Sequence, residues 1–237
     1  MKDIVIRAFS GLLYVLLLIF SLFNAHTLIV LFYLFGIISL IELKRLIQLR
    51  SFMPYIIFTL MYYLFAYWEV LLKTEVGFID AIQILLVISI FVQLFLIKDL
   101  FSEKIIPLFS TKRYVITTFY HSSAFVFLVL IANFKSSFDP NILLGIFILI
   151  WVNDTCAYLT GSRFGKQKLF PRISPKKTVE GFLGGLFFAC ISSYVISYFT
   201  GTLSYTQWLI LSIIISVFGT LGDLIESKFK RQAKVKD

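Results

Sequence analysis

Cysteine and histidine are almost missing from this chain: Cys156, Cys190, His26 and His121 are all that 237 residues provide. Neither cysteine has the paired spacing of a zinc site and both fall in apolar runs, which excludes a disulfide framework or a cysteine-ligated metal as the basis of the fold. They read as small packing residues. His26 falls on an outer turn and His121 about two helical turns into an apolar run, places that suit a surface and a packed histidine better than a ligand or base. GxxxxGK[ST], GxSxG and HExxH are absent, so P-loop, nucleophile-elbow and zinc-protease chemistry have no footing. Charge is scarce as well. Charged residues make up 15% of the chain against 59% apolar and 18% aromatic, with a mean hydropathy of +0.92. Too few polar groups remain for an ordinary soluble surface, and an integral membrane protein is expected.

Eight apolar segments are present: Ile4–Phe23, Thr27–Leu43, Pro54–Leu72, Ile79–Ile97, Tyr114–Ala132, Ile142–Leu159, Phe182–Phe199 and Tyr205–Leu221. Each has about the 17 to 25 residues a helix needs to cross a bilayer. They are continuously apolar rather than alternating, and a backbone in lipid must then satisfy itself within a helix. The expected fold is all-α, a polytopic transmembrane helix bundle of about eight spans. Lys2 and Arg7 before the first run resemble a signal peptide, but no clean small-x-small cleavage site follows, and the segment is expected to stay as an anchor. With no internal repeat or long linker, residues 1–237 read as a single integral membrane domain, with the polar motifs gathered in 151–237.

Taking loops alternately, all of the 22 basic residues except Lys73 and Lys135 fall on one side. The bias of Lys and Arg toward cytoplasmic loops puts both termini inside, and the absence of a soluble appendage fits a multi-pass protein of a bacterial cytoplasmic membrane. The formal charge of +9 would attract anionic lipid or a diffusing polyanion, at roughly 1 kcal/mol per base near the surface. Most of it is ordinary topology signal. Nucleic acid is a poor partner, because the bases are spread over short loops with no soluble domain to dock on a duplex.

Two features do not fit a plain bundle. Asn153 and Asp154 lie inside an apolar span, where a buried acid costs several kcal/mol and calls for a cation or polar cavity. The connection that follows, Gly161 to Gly181, sets Arg163, Lys166, Lys168, Arg172, Lys176 and Lys177 against Glu180 alone. Ser174–Pro175 reads as an N-cap and first helical position. That would place Lys176 and Lys177 in a first turn where the dipole prefers anions, an arrangement suited to a phosphate ligand. With Thr178 as the cap instead, the lysines would precede the helix but still lie near an anion site. The other polar connection, Lys98 to Arg113, reads as a solvated loop.

The end of the last span is the third such stretch. Asp223, Glu226, Ser227, Lys230, Lys234 and Asp237 keep to one helical face, and no Gly or Pro interrupts residues 223–237, so the helix is expected to continue into the cytoplasm. Ion pairs such as Glu226 with Lys230 would explain part of this stripe on their own. Asp154 and Asp223, however, fall at similar depth on one side. Two carboxylates with nearby lysines suit Mg2+ completed by substrate phosphates, and hence phosphoryl or nucleotidyl transfer.

NDTxAYxxG at Asn153–Gly161, FGK at Phe164–Lys166, SPKKTxEG at Ser174–Gly181 and GDLxES with S-x-F-K-R-x4-K-D at Gly222–Asp237 resemble the phosphatidate cytidylyltransferase (CDP-diacylglycerol synthase) family over about the C-terminal 85 residues. The resemblance implies transfer of the cytidylyl group from CTP to phosphatidate, giving CDP-diacylglycerol and pyrophosphate. It implies Mg2+ held by Asp223 and Asp237, and Asp154 as a supporting acid or ligand. Lys177 and Lys230 would act on phosphates at the reacting centre. Lys176, Arg231 and Lys236 would bind phosphate, Ser174 and Ser227 would position it, and Asn153, Tyr158 and Thr178 would bind substrate or shape the site. The family signature continues past its Lys-Asp pair through a His-Gly-Gly stretch and an Asp-Arg-x-Asp element, whereas this sequence ends at Asp237, so impaired activity is expected of the chain. A homodimer is a further expectation. The alternatives are a transporter whose Asp154 lines a permeation path and an inactive lipid-binding scaffold.

Overall fold

The computed structural model describes residues 2–72, 78–102, 111–133 and 138–235, leaving aside the side chains of residues 2–8 and 10. Lys73, Lys104, Lys135, Lys236 and Asp237 lie outside the described residues. Among the described residues, eight helical segments stand where eight apolar runs were read: α1 (Lys2–Ser21), α2 (Ala25–Leu46), α3 (Met53–Leu72), α4 (Ile79–Leu100), α5 (Arg113–Ile131), α6 (Pro140–Phe164), α7 (Val179–Thr200) and α8 (Tyr205–Gln232). The last seven are long and apolar enough to cross a membrane, and α1 contains the shorter apolar stretch Gly11–Ser21. The chain is a polytopic, all-α membrane protein. Two helices widen locally into π-helix, α3 over Tyr63–Leu72 and α5 over Ile116–Ser122.

An unexpected element lies between α6 and α7. Strands β1 (Lys168–Phe170) and β2 (Ser174–Thr178) form an antiparallel hairpin in which Lys168 faces Thr178 and Phe170 faces Ser174. Ser174 is therefore no helix cap. The N-cap of α7 is Thr178, whose extended backbone (φ −121°, ψ 155°) frees its hydroxyl to accept from Gly181 N at 3.1 Å. The acid expected in a first turn is there, as Glu180, accepting from Gln167 N at 3.1 Å. The dipole conflict read from Lys176 and Lys177 dissolves, because both sit on a strand before the helix.

The chain divides into two compact units. The first comprises residues 1–44, 50–90 and 114–140. Its core centres on the fully buried Phe58, which takes the space beside Gly36 that a side chain there would fill. Tyr33 stacks on Phe58 at 5.6 Å and His121 meets its edge at 5.9 Å. Two polar side chains here are met across helices, which offsets the cost of burying them at membrane depth. Tyr62 donates to Ile29 O at 2.8 Å, and His121 Nε2 lies 2.6 Å from Ser39 Oγ. His121 is thus the packed histidine expected.

The second unit comprises residues 45–49, 91–113 and 141–237 and contains all of the motif region. Helix α8 packs along α7 and starts from a capping box of Ser204 with Gln207. Trp208, fully buried, fills the space left at Gly145. Between α6 and α7 runs a seam of small residues, with Ala157 and Gly161 facing Gly181 and Gly185. A Cβ on Gly181 would stand 2.8 Å from Ala157 O, and one on Gly185 would stand 2.7 Å from Asn153 O. The backbones touch, and such small-xxx-small spacing is how membrane helices approach closely.

Gly185→Ala is therefore expected to cost about 1–3 kcal/mol by overpacking, read as earlier unfolding of the detergent-solubilised protein. Gly219→Ala, where nothing lies within 4 Å, serves as the control and should not destabilise.

Candidate active site

The close approach of α6 and α7 opens a cleft of about 340 Å3 at the end of the seam. Four elements line it. Helix α6 contributes Asn153, Asp154, Tyr158 and Ser162, the hairpin Leu169, Lys176, Lys177 and Thr178, α7 Gly181 and Phe182, and α8 Thr220 and Asp223. Helical geometry explains the choice: Asp154, Tyr158 and Ser162 recur every four residues on one face of α6, and Thr220 with Asp223 at three.

The walls are joined by charge. Lys177 Nζ donates to Asp223 Oδ2 at 2.6 Å, bridging β2 and α8 with side chains 30% and 57% exposed. A pair this open stabilises the fold by about 1 kcal/mol or less, so its significance is one of placement: a cation and a carboxylate meet at the mouth of a concave site. Asp154 is accessible at the same cleft and accepts from its neighbour Asn153 Nδ2 at 3.3 Å. Asn153 itself is buried at 6% exposure, its backbone oxygen facing Gly185 across the seam. Lys176 and Tyr158 are exposed within the lining.

Of the site residues read from the sequence, Asn153, Asp154, Tyr158, Lys176, Lys177, Thr178 and Asp223 come together here. Ser174, Ser227, Lys230 and Arg231 are not among the lining residues. Lys230 pairs with Glu226 at 3.1 Å in the expected i, i+4 arrangement, and Lys230 and Arg231 occupy the last turn of α8, where the dipole favours cations. That helix ends at Gln232, and Lys234 has left-handed backbone (φ 56°), so the stripe expected to reach Asp237 leaves the helix before Lys234. Ser162 and Thr220 were not singled out in the sequence. Their helical register with Tyr158 and Asp223 was the available signal.

Residues 4–237 match the Cytidylyltransferase family. The chain belongs to that family. It is also similar to the phosphatidate cytidylyltransferases of Staphylococcus aureus strain COL and Staphylococcus haemolyticus, each 50% identical over 93 residues, and of Staphylococcus epidermidis, 47% identical over 93. Each of these stretches covers 38% of this chain and 35% of the relative, so the match spans about a third of the length of these curated relatives. Together with the seven apolar helices, these bacterial relatives mark this member of the cytidylyltransferase family as a multi-pass cell-membrane protein.

Thr178 carries both the cap and the fit of the cleft, because a Cβ at Gly161 would meet its hydroxyl at 2.9 Å. Thr178→Ala should cost about 1 kcal/mol, measured by unfolding in detergent, while Thr178→Ser, which keeps the acceptor oxygen, should restore most of it.

Proposed function

We propose that this protein transfers the cytidylyl group of CTP to phosphatidate, releasing pyrophosphate and forming CDP-diacylglycerol at the cytoplasmic surface of the membrane. The observation that carries the reading is the convergence of Lys176, Lys177, Asp154 and Asp223 on one cleft. A triphosphate needs cationic donors along its oxygens, and the two lysines are suited to that. In the reaction, a phosphate oxygen of the lipid attacks the α-phosphorus of CTP and the bond to the β-phosphate breaks. Pyrophosphate leaves with that bond's electron pair, and no proton transfer is needed between the two anionic phosphates. The protein's task is to bring the groups into line and offset developing charge. Lys177 can exchange Asp223 for a phosphate as nucleotide binds.

Mg2+ fits the residues present. It takes one or two carboxylates and completes its shell with water and phosphate, and Asp154 and Asp223 open on the same space. Asp223 and Asp154 would hold the ion, with Asp237, outside the described residues, as the further ligand that the family resemblance implies. Bound there, the ion would neutralise charge on the phosphates.

The test is binding and turnover on one purified preparation: CTP binding with Mg2+, and formation of CDP-lipid and pyrophosphate from CTP and phosphatidate in mixed micelles. Asp223→Asn should lower turnover by about 10²-fold or more with little change in stability, given how weak an exposed pair is. Wild-type turnover in Asp223→Asn would refute the assignment, and solute flux in proteoliposomes without CTP-dependent product would favour a transporter instead.

A further inference from the structure

Of the motif-region cations that do not line the cleft, Lys228 is the buried one among the described residues. Lys228 is buried at 6% exposure, on the face of α8 that also buries Leu224, Ile225 and Phe229. Thr220 and Asp223 lie on the cleft side. The Lys228 ammonium donates to two backbone carbonyls, Asp99 O in the last turn of α4 at 2.5 Å and Ser102 O just beyond that helix at 2.7 Å. A buried ammonium costs several kcal/mol unless its donors are met. Carbonyls at the end of a helix suit it, because they lie at the negative end of the dipole, and Asp99 O accepts the ammonium beside the Ser102 N–H it already holds at 3.1 Å.

The same turn also holds the opposite wall of the cleft. Arg172, at the tip of the hairpin, donates from Nη2 to Ser102 O at 3.0 Å, and the Phe101 ring meets Phe170 of β1 edge-on at 5.6 Å. Ser102 O therefore accepts one cation from α8 and one from the hairpin, the elements that carry Asp223 and Lys177. The Lys177–Asp223 pair is too exposed to fix the distance between the two walls by itself. Successive residues turn about 100° around a helix, so anchoring Lys228 on the buried face sets the rotation that points Asp223 at the cleft.

We propose that Lys228 is a positioning residue: by pinning the end of α8 to Asp99 O and to Ser102 O, the carbonyl after α4 that also holds Arg172, it fixes the spacing and orientation of Asp223 against Lys176 and Lys177. The kinetic consequence rests on the cytidylyl-transfer reading, whereas the geometric consequence does not. The test uses the full chain with Cys156 and Cys190 replaced by alanine, spin labels at the exposed positions 168 on β1 and 226 on α8, and pulsed dipolar spectroscopy in nanodiscs. With Lys228 intact a narrow distance distribution is expected. Lys228→Met should broaden it and raise KM for CTP about tenfold through misplacement of the phosphate-binding groups, and Lys228→Arg, which keeps donors for both carbonyls, should restore both readouts. A narrow distribution in Lys228→Met would overturn the proposal whatever the turnover. If Lys228→Met does not accumulate in the membrane, Arg172→Met decides, since it releases only the hairpin side. Broadening supports the shared clamp, and an unchanged distribution overturns it.

Discussion

Backbone contact between α6 and α7 is the constraint on which the rest of the second unit depends. Gly161 and Gly181 approach so closely that no side chain fits between them, and that approach lets the hairpin fold over the helix ends and brings Thr178 against both helices. With a larger residue at the seam, Asp154 on α6 and the lysines on β2 would be carried apart by displacement of the backbone itself. In a membrane, where apolar burial gives helices little reason to associate, such packing holds the helices together. The residues that shape the cleft are therefore among the least chemical in the region.

Cations of the motif region have one chemistry and three distinct situations. Lys176 and Lys177 are accessible at the cleft, Lys230 lies in the last turn of α8 beside Glu226, and Lys228, buried, is bonded to Asp99 O and Ser102 O, the latter shared with the exposed Arg172. Burial and partner separate these situations, since an exposed ammonium can change partners readily while a buried one can leave its acceptors only at high cost. A cleft for a polyanion needs both kinds, one to meet the ligand and one to hold the walls.

Most of the helical architecture was legible in the sequence, because continuous apolar runs of bilayer length admit few other structures. The limits of the helices were less so. The apolar stretch Ile142–Leu159 becomes Pro140–Phe164, since a helix continues through polar residues that hydropathy counts as loop, whereas the expected continuation of the last span is present but stops at Gln232. The hairpin escaped because SPKKT has no strand alternation and Ser-Pro resembles a helix start, while the actual cap, Thr178, was the alternative reading. In the cleft, the acid within a span and the clustered lysines identified Asp154, Lys176 and Lys177. Lys228 could not be recognised, being one of five cations near the end of the sequence whose burial only the packing of α8 reveals.

The central claim is that Asp154, Asp223, Lys176 and Lys177 enclose one triphosphate site. An experimentally determined structure in lipid nanodiscs with Mg2+ and a CTP analogue that cannot be cleaved between the α- and β-phosphates tests it most directly. The account predicts phosphate density between β2 and α8, with Lys177 turned from Asp223 onto a phosphate oxygen and the two carboxylates facing the same ion. Nucleotide bound at another surface, or the two carboxylates and Lys177 directed to separate faces, would contradict it.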